Sequence, residues 1–213
     1  MGTVSTNLTG SDPIAALLSV APINGTGHTL AGLGPLREQA RASFLAHGLP
    51  TKRDESWRYT DLRRLRDADF RLVTAADSGL PATVPEMLAS PAVSPMRLVF
   101  VNGAFRADLS QMQQGTVGVA VQSLAAAFRR GQHTAVIERS LQAMQPLAAL
   151  PMVALNTALF EDGLVIVAEP EVLDTVWIEA IFIGGGETPV ALAPRHCIQV
   201  GEGSRVVLIE QHV

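Results

Sequence analysis

Four residues near the end of the chain carry side chains that bind metals or move protons: His196, Cys197, Glu210 and His212. Imidazole, thiolate and carboxylate are sensible ligands for zinc or iron. Glu210 and His212 stand two apart in a run that reads as a strand, so they share a face. His196 and Cys197 are adjacent and face opposite ways, so one ion cannot take both. Solvated or packed side chains are the simpler reading of the set. Cys197 lies inside a strand-like run, whereas a reactive thiol wants a helix N-terminus or a positive neighbour. It reads as a buried, inert cysteine. No residue is therefore assigned as catalytic, cofactor-binding or metal-binding.

Two glycine-rich stretches, Gly32-Leu33-Gly34 and Gly184-Gly185-Gly186-Glu187-Thr188, raise phosphate binding. Neither matches the lysine-containing phosphate loop or the full dinucleotide fingerprint. The second leads into Pro189 and another strand, so it reads as a tight β-turn. A basic cluster runs from Lys52 through Arg53, Arg58, Arg63, Arg64 and Arg66 to Arg71. It is interleaved with Asp54, Glu55, Asp61, Asp67 and Asp69, as on a solvated, salt-bridged helix face. Trp57 and Tyr59 within it could stack on bases; packing of a small helical domain is the favoured role.

The elements that would position these residues change character along the chain. Residues 1–34 are rich in Gly, Thr, Ser and Pro and read as a loosely held arm, with one short apolar helix over Ile14–Val20. Residues 35–95 read as a helical domain and linker. Its first helix spans 35–48, with Pro35 in the first turn and Gly48 at the stop. Asp54 is the expected N-cap of a second helix, with Trp57, Leu62 and Leu65 on its buried side. Five Gly and Pro residues over 72–95 mark a loop region, with room for a short helix around Glu86–Leu88.

Residues 96–213 read as a mainly β domain. Arg97–Val101 is strand-like and Asn102-Gly103 is a strong hairpin signal. Val117–Val121 is another strand candidate, Ser123 caps a helix running to Arg130, and Gly131 ends it. Ile137–Leu150 and Met152–Phe160 look helical, separated by Pro151. Beyond Gly163 strands are expected over Leu164–Ala168, Thr175–Ile183, Val190–Ala193, His196–Val200 and Arg205–Val213. No long helical pattern intervenes, so a βαβ sheet is not expected. Periodicity leaves sandwich, barrel and β-helix open. The last run, Val206–Val213, has no terminating turn, so a further subunit or further chain is expected to cover it.

Composition narrows the function classes. The chain has 213 residues, 47 % hydrophobic and 17 % charged, enough for a substantial core. No apolar run approaches the roughly 20 residues of a bilayer span. Met1–Asp12 has no positive residue, unlike a secretory signal. A single cysteine excludes an internal disulfide framework. A cytoplasmic protein is expected, with neither membrane nor nucleic acid as a partner, the net charge being −4.

Gly48-Leu49-Pro50 followed by Asp54-Glu55-Ser56-Trp57-Arg58-Tyr59-Thr60-Asp61-Leu62 resembles the SufD family. Leu98–Gly103, Ala154–Phe160 with Asp162-Gly163, and Ala193–His196 with Gly201–Ser204 and Ile209-Glu210 resemble later segments in the family's order. The resemblance implies an α+β, mainly β architecture: a helical N-terminal domain followed by the first rungs of a right-handed parallel β-helix, cut short at Val213. It implies a non-enzymatic component of the SufB–SufC–SufD scaffold for iron–sulfur cluster assembly, with SufB-like and SufC-like partners. The nascent iron–sulfur cluster, and ATP on SufC, would belong to that complex; no cofactor is expected on these residues. The cluster-related histidine and the SufC-docking surface implied by the family would lie beyond them. Two rivals stand beside this reading. One is a small β-rich metal-binding enzyme using His196, Glu210 and His212. The other is a β-rich module that self-associates through its last strand.

Overall fold

The computed structural model describes residues 13–21, 33–73, 88, 92, 94–112, 117–144, 150–186 and 189–213. Glu86 and Met87 of the helix expected around Glu86–Leu88, residues 145–149 of the one expected to reach Leu150, and most of the loosely held arm lie outside the described residues.

Pro13–Val20 forms helix α1 and Leu33–His47 forms α2, which Gly48 ends with φ +68°. Ile14, Leu17 and Leu18 of α1 are buried, so this part of the expected loose arm belongs to the core. The single helix expected after Asp54 is instead a short 3-10 turn, Glu55–Trp57, and a separate helix α3, Arg63–Asp67. Asp54 does not cap forward. Its carboxylate turns back to accept from the Thr51 N–H at 2.7 Å, which satisfies the preceding turn and leaves the helix start without a cap.

Strand β1, Arg71–Leu72, precedes β2, Met96–Val101. Asn102 and Gly103 take φ of +46° and +80°, both left-handed, and return the chain into β3, Ala104–Phe105. That is the two-residue hairpin expected from their side chains. Strand β4, Gln111–Met112, also pairs with β2. Strand β5, Val119–Ser123, leads into α4, Leu124–Arg130, where the Ser123 hydroxyl accepts from the Ala126 N–H and Gly131 closes the helix. Helix α5 spans Thr134–Ala143, starting three residues before the expected Ile137. Helix α6, Pro151–Leu159, includes the proline expected to separate two helices, because Pro is tolerated in a first turn. Strands β6, Leu164–Ala168, β7, Val176–Ile183, β8, Val190–Ala191, β9, Cys197–Val200, and β10, Val206–His212, complete the order.

The strands form three sheets: β1–β8, β10–β7–β2–β3 with β4 beside β2, and β5–β6–β9. β1 with β8, β2 with β7, β6 with β9 and β7 with β10 pair parallel, whereas β5 and β6 pair antiparallel; among the described residues no helix lies between β6 and β9 or between β7 and β10. Val165 stands beside Cys197, and Val176 beside Val206. Backbones touch closely at the corners. A Cβ on Gly163 would stand 2.0 Å from the Arg195 carbonyl oxygen, and one on Gly201 would stand 2.3 Å from Pro170 N. Only glycine permits that approach.

Alternation along β2 and β7 sends Leu98, Phe100, Ile178, Ala180 and Phe182 into a core shared with Leu164 and Ile166 of the neighbouring sheet. Val99, Val101, Ile181 and Ile183 point to the other face, against Leu109. Complete burial of a side chain such as Phe100 is worth about 1.5–3 kcal/mol. Ile14, Ala40 and Phe44 pack with Ala154 and Ala158, and Leu33 packs with Leu124 and Phe128. The expected division near residue 95 is therefore crossed by shared apolar clusters.

Candidate functional site

The structure brings three of the four chemically capable residues together. His196 sits at the end of the segment that enters β9. Its Nδ1 accepts from the Leu164 N–H at 3.1 Å. In the neutral ring the proton is therefore on Nε2, which lies 3.1 Å from Glu210 Oε1 on β10. The second carboxylate oxygen, Oε2, is 3.3 Å from His212 Nε2. Register explains the meeting. Glu210 stands beside Ala180 and His212 beside Phe182, so both project to the face on which Phe182 packs. The Phe182 ring is stacked on His212 at 5.0 Å and on Phe100 at 4.7 Å, and it tilts against His196 at 5.5 Å.

Burial pushes the His196 imidazole below its ordinary pKa; the Glu210 carboxylate and a hydrogen bond to the Arg195 backbone oppose that shift, and the charges of His212 and Arg195 add to it. The carboxylate lies between the two imidazoles, within hydrogen-bond distance of His212 through Oε2 and within ion-pair distance of His196 through Oε1. Among the described residues, no group of three or more His, Cys, Asp or Glu side chains is disposed to hold a metal ion.

Cys197 points the opposite way from His196, as adjacent strand residues must. It is buried in the cluster formed by Leu33, Leu124 and Phe128. Burial pushes its thiol up, which disfavours the thiolate. Of the glycine-rich stretches, Leu33 and Gly34 lie in α2 and Gly32 lies outside the described residues. Gly185 is clasped by Asn102: its N–H donates to Oδ1 at 2.9 Å and its carbonyl accepts from Nδ2 at 3.0 Å. Tyr59 is 87 % exposed, so the packing role expected of it does not hold; Trp57 is half-buried.

Several buried polar groups were not singled out from sequence. Asp162, just before β6, accepts at Oδ1 from the Ser123 hydroxyl (2.8 Å), the Ala125 N–H (2.9 Å) and the Gly163 N–H (2.8 Å), and at Oδ2 from the Phe105 N–H (3.2 Å). Burial outweighs these bonds and holds the carboxyl above the usual aspartate range. The Arg195 guanidinium donates to Asn156 Oδ1 at 2.7 Å and Thr157 Oγ1 at 2.8 Å, tying the segment before His196 to α6. Arg37 of α2 donates to the Phe160 carbonyl and to Glu161, and its guanidinium lies 4.8 Å from the Phe160 ring centroid. Across the sheet, Arg97 Nε donates to Glu179 Oε2 at 2.7 Å and Gln211 Nε2 donates to Glu179 Oε1 at 2.9 Å. Glu179 is completely buried. These groups brace the frame around the His196–Glu210–His212 bridge.

The model of the SufBD protein N-terminal region matches residues 26–175. The chain belongs to the SufB/SufD family. An iron–sulfur cluster assembly SufBD family protein of Synechocystis sp. is 28 % identical to it over 203 residues, covering 93 % of this chain and 43 % of that protein. The chain thus spans less than half the length of this curated relative. The family-matched residues take in the Trp57–Tyr59 segment, Asp162 and β6, and they stop short of His196, Glu210 and His212.

Proposed function

We propose that the protein is a SufD-like component of a scaffold for iron–sulfur cluster assembly, acting by protein contact rather than by catalysis. The observation that carries the reading is the family match over residues 26–175, together with the relative named for cluster assembly. Its architecture in this proposal is a helical N-terminal part followed by the first rungs of a right-handed parallel β-helix. Support comes from the parallel pairing of β6 with β9 and of β7 with β10. The offset is roughly 30 residues, a spacing typical of stacked structural repeats. These residues correspond, on this reading, to the amino-terminal part of a longer scaffold. SufB-like and SufC-like proteins are the proposed partners, in the cytoplasm. The cluster and the ATP bound to SufC are cargo and partner ligand of the complex, and no residue described here is given either.

The test is anaerobic reconstitution of this chain with ferrous iron and sulfide, then desalting. No stoichiometric iron and no visible charge-transfer absorption are expected. A stable cluster retained on this chain alone overturns the reading. Co-purification with co-expressed SufB-like and SufC-like proteins tests the assembly directly.

A second reading, a β-rich metal-binding enzyme, draws on Glu210 joining His196 and His212. Stoichiometric zinc or iron in the purified protein, lost in His212→Ala, would favour it. Self-association through β10, which lies at the edge of its sheet, is the remaining alternative; strictly monomeric light scattering across a wide concentration range would reject it.

A further inference from the structure

Every residue from Thr51 to Asp61 except Trp57 is exposed, yet the segment is tightly built. The Asp54 carboxylate accepts from the Thr51 N–H at 2.7 Å and its hydroxyl at 3.1 Å, and the Thr51 hydroxyl accepts from the Arg53 N–H at 3.2 Å. The backbone continues through Trp57 N–H to Asp54 O and Thr60 N–H to Trp57 O. Asp61 closes the segment, lying 3.3 Å from Lys52 Nζ and 2.6 Å from Arg63 Nη2. Leu62 and Leu65 anchor it on the helical core. Ordering a backbone costs about 1–2 kcal/mol per residue. A segment that buries little more than one indole face recovers small apolar gain for that cost. Its order comes from its own hydrogen bonds, which leaves a preorganised knuckle facing solvent.

The surface of the knuckle has the composition of a protein contact. Tyr59, the sole tyrosine of the chain, is 87 % exposed, and the Arg58 guanidinium lies 4.7 Å from its ring centroid. Exposed Tyr and Arg side by side are the residue types that dominate interface energetics. Beside them is a cleft of about 320 Å³ lined by Thr51, Lys52, Thr60, Asp61, Arg63 and Arg66, among others. Over Thr51–Arg66 six cations, Lys52, Arg53, Arg58, Arg63, Arg64 and Arg66, face three carboxylates, Asp54, Glu55 and Asp61, in a chain of net charge −4. Asp54 is engaged by Thr51, and Asp61 by Lys52 and Arg63 of the cleft itself; those bonds hold both carboxyls below the usual range, and the cleft keeps three cations, Lys52, Arg63 and Arg66, to the one carboxylate of Asp61.

We infer that this knuckle docks an acidic segment of a partner protein, whose carboxylates enter the cationic cleft while Arg58 and Tyr59 pack beside them. A protein segment fits better than a nucleic acid. A phosphate backbone calls for a continuous cationic track, and here Glu55 and Asp61 interrupt the cations while the remainder of the chain is acidic. The inference goes beyond the scaffold reading and survives if that reading fails.

The test is fluorescence anisotropy on the full chain with a fluorescein-labelled peptide, Glu-Asp-Phe-Glu-Asp-Leu-Glu-Asp. Comparison probes are the same peptide with Gln and Asn for its acids, and an oligodeoxythymidylate of equal length. The acidic peptide should bind about tenfold more tightly than either, as expected of a contact with a charged hot spot. Arg58→Ala/Tyr59→Ala should weaken it about tenfold, with thermal unfolding unchanged because both side chains are exposed. Arg129→Ala, an exposed cation on α4, should leave binding within about twofold and so controls for net charge. Absence of binding up to about 1 mM peptide, equal binding by the double variant, or tighter binding of the oligonucleotide each overturns the inference. So does self-association that the double variant abolishes and the peptide does not compete away, since the occupant would then be a second copy.

Discussion

Replacing Asp162 by alanine should destabilise the protein by about 4 kcal/mol. The carboxylate serves four donors, three on separate elements and one in a loop: Phe105 N–H on β3, the Ser123 hydroxyl at the end of β5, Ala125 N–H in α4, and Gly163 N–H ahead of β6. A buried donor left without an acceptor costs about 1–3 kcal/mol. Four at full cost would exceed what single substitutions typically show. Asp162 borders a cleft that also reaches Asn102 and Leu192, so water can serve part of the set, and removing a desolvated carboxylate returns something. About half the summed cost remains. Asp162→Asn keeps one carbonyl oxygen but turns an amide N–H₂ toward a donor, so about 2 kcal/mol is expected. Urea unfolding measures both. For a chain of this size about 3 °C per kcal/mol applies, giving Tm losses of about 12 °C and 6 °C. Ser123→Ala on the Asp162→Ala background should cost less than on the parent, by about 1 kcal/mol of coupling. An Asp162→Ala variant within about 1 kcal/mol of the parent, or strict additivity with Ser123→Ala, would refute the account.

Three further outcomes follow from buried contacts. Glu179→Leu should cost about 3–5 kcal/mol by stranding Arg97 in the sheet, while adding Arg97→Met should restore most of it, as read by urea midpoints. Gly201→Ala places a methyl within 2.3 Å of Pro170 N, where main chain rather than a side chain must yield; a loss of about 3 kcal/mol is expected, against under about 1 kcal/mol for the exposed Arg129→Ala. His196 titrates below its ordinary 6.5 in the folded protein, so below pH 6.5 the unfolded chain binds more protons there. Stability should be level above that pH and fall as pH drops through the window beneath it. The slope should lessen in His196→Asn; an unchanged pH profile would refute the depressed titration.

Much of the local structure was legible because its causes are local. Asn102-Gly103 demanded two left-handed residues, Ser123 supplied its own cap, and Gly131 its own stop. The strands beyond Gly163 were bounded by Gly and Pro, and their expected spans lie within two residues of those found. The alternation that separates His196 from Cys197 and joins Glu210 with His212 also followed from a two-residue period. Partner choice did not. Nothing near Arg71-Leu72 indicates that it pairs with Val190-Ala191, because parallel pairing between distant segments leaves no local mark. The sequence did not single out Arg37, Arg97, Glu179 or Arg195 as buried charges. Each is buried with a partner far away in sequence, and only the folded chain supplies it. Tyr59 failed in the opposite direction: aromaticity pointed inward, while the turn around Asp54 and Asp61 turned it out. Asp162-Gly163 stood out as part of the family resemblance; nothing local marks Asp162 as an acceptor for four donors.

The Arg97–Glu179–Gln211 row also acts as a ruler across three parallel strands. Sliding β2 along β7 by two residues keeps every side chain on its proper face, so the apolar pattern alone tolerates the error. That slide moves Glu179 opposite Val99 or Pro95 in place of Arg97. Arg97 would then lie diagonal to the carboxylate instead of opposite it, and that misaligned sheet would carry part of the cost of a poorly paired buried charge.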